Sequence, residues 1–173
     1  MASKTAKTEN KSGKTVPILG AVLAVLAVGM IVSLCLTKNR TAEFSPPPFD
    51  ENAVSGVPDV PEELGYSSPY KEGMSYRFSV CGNVTAEGEN AVVYLTNPAE
   101  NEVWLKLRVL DEDGKTLGET GLIKPGEYVR CVTLSPVPAA GTGIKLKIMG
   151  YEPETYQSAG AATLGTTMAG VTN

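Results

Sequence analysis

Histidine is absent from the 173-residue chain. With it go the commonest general base, the usual transition-metal ligand and every triad built on imidazole. No other nucleophile, base and orienting group stand together in a pattern that spells a reaction. A non-enzymatic protein is expected, with no metal, cofactor or small-molecule substrate. Cations are scarce in the larger part of the chain. Residues 41–173 carry nine against eighteen acids, a net of −9, whereas residues 1–40 carry six against one, a net of +5. An acidic bulk argues against nucleic acid as a partner.

Charge is missing altogether from residues 16–36, VPILGAVLAVLAVGMIVSLCL. At about 1.5 Å per residue, a helix of 21 such residues spans the roughly 30 Å hydrocarbon core of a bilayer. Pro17 falls in the first turn, where its missing N–H costs nothing. Lys4, Lys7, Lys11 and Lys14 precede the run, while only Lys38 and Arg40 follow it. Lysine excess marks the cytoplasmic side, so the N-terminus is expected inside and the C-terminal bulk outside. A small-x-small cleavage site is also lacking after Leu36, and Leu34 stands where a lipoprotein signal needs Gly, Ala or Ser before Cys35. The run therefore reads as an uncleaved, single-pass signal-anchor in the cell membrane. Gly20, Ala24 and Ala27 share one helix face and form a candidate helix-packing surface.

Residues 41–73 hold six prolines and seven acids against one cation, Lys71. Such a stretch buries too little apolar surface to fold alone, and its prolines favour an extended form. The expected organisation is a cytoplasmic basic tail at 1–15, a transmembrane helix at 16–36, an acidic Pro-rich stalk at 37–73 and a folded domain at 74–173. Leu64, Tyr66 and Tyr70 are candidates to pin the end of the stalk onto that domain.

From residue 74 the apolar period becomes two, the mark of half-buried strands. Tyr76, Phe78 and Val80 alternate with Ser75, Arg77, Ser79 and Cys81. Val103, Leu105, Leu107 and Val109 alternate with Trp104, Lys106 and Arg108. Ile144, Leu146 and Ile148 alternate with Lys145, Lys147 and Met149. Further strands are expected near 91–96, 116–123, 128–134 and 162–171. Asn97-Pro98, the run from Asp111 to Gly114, and Pro125-Gly126 supply turns. About seven short strands without a helical segment predict an all-β, immunoglobulin-like antiparallel β-sandwich, with a small barrel as the alternative.

Several motifs reduce to simpler readings. Gly13-Lys14-Thr15 lacks the glycine five residues earlier that a phosphate-binding loop needs. Asp111 and Asp113 do not fit a calcium loop, whose first and last ligand positions would be Val109 and Thr120. Cys81 and Cys131 form a candidate disulfide with Trp104 between them, although Cys81 shares the outward parity of Ser79 and two free thiols are the alternative. Asn39-Arg40-Thr41 and Asn83-Val84-Thr85 fit a glycosylation sequon that matters only in a eukaryotic secretory pathway. The outward parity of three strands collects Arg77, Trp104, Lys106, Arg108, Lys145 and Lys147. That set is either a solvated face or a basic platform for an acidic partner.

The stretches 94–101 (YLTNPAEN), Asp113-Gly114, 120–126 (TGLIKPG) and 150–155 (GYEPET) resemble small membrane-anchored, immunoglobulin-like proteins of Gram-positive Firmicutes, mostly of unassigned function. The resemblance covers about residues 56–171 and rests on turn chemistry. It implies a bacterial cell membrane, makes the sequons irrelevant and supplies no catalytic residues. The expected function is a membrane-anchored extracellular binding or structural module with a protein partner, self-association included. The alternative is an accessory subunit of a bacterial envelope assembly, such as a secretion or conjugative DNA-transfer apparatus.

Overall fold

Alternating apolar residues on successive segments can bury one face only by stacking against a second layer, and two antiparallel sheets meet that need here. The computed structural model describes residues 44–67, 71–73 and 75–170. Every element lies in the compact unit Pro46–Asn173, and the unit Met1–Ser45 falls almost wholly outside the described residues. The apolar run 16–36 and its Gly20, Ala24 and Ala27 face therefore lie outside them. Among the described residues no helix is long and apolar enough to cross a membrane.

In chain order the strands are β1 (Val54–Ser55), β2 (Lys71–Glu72), β3 (Arg77–Phe78), β4 (Thr85–Glu87) and β5 (Asn90–Asn97). There follow β6 (Trp104–Leu110), β7 (Thr116–Glu119), β8 (Glu127–Thr133), β9 (Gly143–Tyr151) and β10 (Ser158–Thr167). The first sheet has the order β1-β8-β5-β4 and the second β10-β9-β6-β7, while β2 and β3 form a separate two-stranded ribbon. All pairs between these strands are antiparallel. The core lies between the sheets. Ala91, Val93, Leu95, Val129 and Val132 from one face Leu105, Leu107, Val109, Ile144, Leu146 and Ile148 from the other in a single buried cluster.

Four expected strands, at 91–96, 102–110, 128–134 and 143–150, coincide closely with β5, β6, β8 and β9, and the one expected at 162–171 overlaps β10. The pattern at 74–82 yields only the short β3, because the chain leaves it to cross to the first sheet. Ser79 and Thr96 exchange backbone bonds of 3.2 and 2.9 Å there, and the Cys81 N–H donates to Val93 at 2.8 Å. The stretch at 116–123 breaks after Glu119 without leaving the second sheet, since Thr120 still donates to the Leu107 carbonyl of β6. Beyond it, Leu105 and Ile123 exchange backbone bonds, and Phe49 forms a parallel bridge with Leu122.

Much of the Pro-rich stretch runs along the sheets. Leu122 donates to Pro48 and Asp50 donates back to Leu122, both at 2.9 Å, and the Asp50 carboxylate accepts the Gly121 N–H at 2.7 Å. A side chain at 121 would sit 2.5 Å from the Asp50 backbone nitrogen, so glycine is what lets this strap close. Further on, residues 60–66 lie over the outer face of the first sheet. Leu64 joins Cys81, Val92 and Tyr94 in a second buried cluster, flanked by Val60, Tyr66, Tyr128 and Cys131.

Two polar anchors hold the layers in register. Asn97 is fully buried and donates to the Val103 and Ile123 carbonyls at 2.9 Å each, while accepting from Asn101. It thus supplies backbone partners where β5 gives way to the next loop. Tyr76 is buried across β9 and β10, with its hydroxyl donating to Ile148 at 2.8 Å. Its ring fills the space above Gly150, where an added Cβ would lie 2.5 Å from the ring.

Three substitutions test this packing. Leu107→Ala should cost about 2–5 kcal/mol, because it leaves a cavity between the sheets. Gly150→Ala should cost about 1–3 kcal/mol by forcing Tyr76 out of place. Gly165→Ala meets nothing within 4 Å and should stay within about 0.5 kcal/mol of the parent. Denaturant unfolding read by Trp104 fluorescence measures all three; equal effects at 150 and 165 would refute the Tyr76 contact.

Candidate binding face on the second sheet

The antiparallel register of β9 and β6 decides which outward side chains meet. Trp104 lies opposite Tyr151, Lys106 opposite Met149, Arg108 opposite Lys147, and Leu110 opposite Lys145. On one side Thr163 and Gly165 of β10 continue the rows of Lys147 and Lys145. On the other, Glu119 of β7 continues the row of Arg108. Four of the five cations of the expected platform, and Trp104, therefore share one sheet face. Arg77 does not join them: it sits on the β2–β3 ribbon, paired with Glu72 at 3.0 Å.

The cations differ in how they are held. Lys106 is buried at 7 % exposure, contrary to its outward parity, and its ammonium donates to Glu119 Oε1 at 2.7 Å. Arg108 reaches the other oxygen of the same carboxylate, at 2.9 Å from Nε and 2.8 Å from Nη2. One acid thus serves two cations. Partial burial alone would raise the Glu119 pKa, but the hydrogen bonds and charges of Lys106 and Arg108 outweigh it and hold the carboxyl below its ordinary range. Lys145 donates to the Glu112 carbonyl at 2.7 Å. Lys147 makes no salt bridge among the described residues.

The other end of the face is aromatic. The Phe49 ring stands edge-on to Trp104 with centroids 4.9 Å apart, and Tyr156 tilts against Trp104 at 5.3 Å. Lys124 places its ammonium 4.6 Å above the Phe49 ring, a cation–π geometry. Glu154 and Tyr156 both carry left-handed backbones, with φ of 65° and 56°. Such conformations cost of order 1–3 kcal/mol each and persist only where surrounding contacts hold them. For Tyr156, packing on Trp104 is one such contact. The sequence reading missed Glu119, Phe49 and Tyr156. Glu119 was visible as an acid on the strand beside the cations, but Phe49 lies in a proline-rich stretch without periodicity.

The two cysteines occupy the opposite surface. Cys81 is buried, contrary to its outward parity, because residues 60–66 cover that side of the first sheet. Both cysteines are free thiols. Cys131 on β8 pairs with Val92, while Cys81 bonds β5 from the far side through Val93. Two strand spacings, about 9–10 Å, separate their backbones, more than the roughly 7 Å a disulfide can bridge. The candidate disulfide is not formed. Burial pushes the Cys81 thiol up to about 12 and also raises that of Cys131, where Arg130 partly offsets it.

No known protein family has a model that matches this chain, and no curated protein matches it. Among the described residues no cluster of three or more cysteine, aspartate or glutamate side chains is placed to hold a metal.

Glu119→Gln tests the shared ion pair. Because the folded-state carboxyl is held low, its stabilisation is complete above the ordinary value of 4.5 and is lost as pH falls through the lower folded-state value. Glu119→Gln should melt below the parent at neutral pH, and the gap should close on acidification from about pH 4.5 downward. A gap independent of pH would remove the electrostatic account. For the thiols, maleimide labelling with peptide mapping should modify Cys131 slowly in the folded protein. Cys81 should react only on unfolding.

Proposed function

We propose that this protein is a non-enzymatic, membrane-anchored binding module. In this reading the uncharged run 16–36 is a single-pass helix with the N-terminus cytoplasmic. It carries an immunoglobulin-like β-sandwich outside the cell and presents the outer face of β6 and β9 to an acidic protein partner. The lysine asymmetry around the run supports the topology, and the absence of histidine supports a binding role over catalysis. The resemblance to membrane-anchored Firmicute proteins supports a bacterial envelope.

One observation carries the binding face. Arg108 and Lys147 stand directly opposite each other on neighbouring strands, an arrangement that costs stability because like charges repel. Glu119 neutralises only part of the cluster. The first sheet, by contrast, has its outer face covered by residues 60–66. An acidic ligand would relieve the residual repulsion at the face that the described residues leave the more open.

The alternative, an accessory subunit of a secretion or conjugative DNA-transfer apparatus, draws on the helix. Gly20, Ala24 and Ala27 would then make the specific contact. Exchanging residues 16–36 for an unrelated transmembrane helix should spare a surface module and abolish an accessory subunit.

Protease added to spheroplasts should remove residues beyond about 40, and full protection of that part would reverse the topology. A photo-cross-linking residue at Met149 in the membrane-inserted chain should capture a partner. Arg108→Glu combined with Lys147→Glu should reduce capture at least tenfold, about 1.4 kcal/mol or more. Capture unchanged by charge reversal would overturn the face as the binding site.

A further inference from the structure

A strand at the margin of a sheet exposes a row of unpaired backbone groups, and proteins guard such margins with lysine, proline, bulges or shortness. The margins here are guarded unequally. At the margins of the first sheet, β1 is two residues long and β4 is three, ending in Glu87. In the second sheet, β7 is four residues long, ends in Glu119, and is pressed against the Thr133 carbonyl at Gly118. β10 is ten residues long, and its sequence SAGAATLGTT contains neither charge nor proline.

Among the described residues, β9 is the only strand paired with β10, and just beyond its end Met168 bridges Val84 in parallel. The two ends of the free margin are tied down by side chains. Ser75 donates to the Ala159 carbonyl at one end, and Thr166 donates to the Gly82 carbonyl at the other. Residues 161–165 remain open between these ties. In an antiparallel ladder, alternate residues of that stretch direct both N–H and C=O to the free side. Leu164, on the core side of the strand, is also only partly buried.

We propose that β10 pairs antiparallel with β10 of a second copy of this chain, joining two second sheets into one continuous eight-stranded sheet around a two-fold axis at Thr163. Electrostatics favours a second copy as the occupant. Two-fold antiparallel pairing sets a strand against its own reverse, so any charge near the axis would face its like. β10 is the one long marginal strand in which this cannot happen. The nearest like charges, Lys147 on each β9, would stand three strand spacings apart, about 14 Å. That exceeds the Debye length of about 8 Å at physiological salt. Pairing would also place the two Arg108–Lys147 faces side by side on one surface. If the chain is anchored as proposed above, confinement in one membrane raises the effective concentration and a short pairing suffices. The pairing itself does not depend on that anchoring.

The test uses the full chain, in membranes and in detergent, with a benzophenone residue at Thr163 and, as control, at Asp59. Position 163 should give a product of twice the chain mass, and position 59 should not. With the benzophenone moved to Ala161, Thr163→Lys alone and Thr163→Glu alone should each lose at least tenfold of that product. Mixing the two chains should restore it, because opposite charges then meet on the axis. Melting of each variant reports whether it folds. A product from 59 as strong as from 163, no product from 163, or loss without rescue in folded variants would each overturn the proposal. A product of another mass would assign the margin to a foreign strand. Because the probes lie on β10, failure here leaves the charge-reversal result at Arg108 and Lys147 standing.

Discussion

Burial of the inner faces of β5, β8, β6 and β9 against one another is the interaction from which the remaining features follow. Leu105, Leu107, Val109, Ile144, Leu146 and Ile148 are essentially inaccessible to water, and a slip of one residue would turn all of a strand's apolar side chains outward. The core therefore dictates the register. Once β6 and β9 are locked inward at these positions, Arg108 and Lys147 are forced into opposition outside. The cationic face is in this sense a consequence of the core, and Glu119 is what makes it tolerable.

The two outer faces have opposite fates. Over the first sheet, residues 60–66 add Leu64 and Tyr66 to a small second core, with the Tyr66 hydroxyl bonded to Thr96 at 2.5 Å. Over the second, Phe49 and Tyr156 pack on Trp104 at one end. The strap that brings Phe49 there depends on Gly121, where any larger residue would meet the backbone of Asp50. A segment too poor in apolar residues to fold alone thus becomes ordered by docking on a sheet already formed, which supplies the bonding partners it lacks.

Pairing of charges is frugal throughout. Glu119 serves both Lys106 and Arg108, Arg130 joins Glu87 and the Tyr94 hydroxyl, and Asn97 and Asn101 satisfy the backbone at a tight loop. No buried side-chain nitrogen or oxygen among the described residues lacks a partner. The half-buried Lys147 and the stretch 161–165 at the margin of β10 are exceptions to this economy, since among the described residues neither the charge of the one nor the outward backbone groups of the other find a partner.

The alternation in 102–110 and 143–150 was enough, by itself, to determine two central strands, their inward residues and the all-β class, because period two is a local property of a strand half in water. Proline and acid content, by contrast, predict an extended stalk at 37–73, whereas its described residues from Pro46 onward dock along the sheets within the same compact unit as the strands. Tertiary structure alone decided the rest. Parity marks Cys81 and Lys106 as outward, yet both are buried, one beneath residues 60–66 and the other against Glu119. Parity also groups Arg77 with Lys106 and Arg108, whereas the crossing of the chain between sheets sets Arg77 on a separate ribbon. Which strands become neighbours, and which faces another segment covers, are decided by contacts between residues far apart in the chain. Local periodicity carries no record of them.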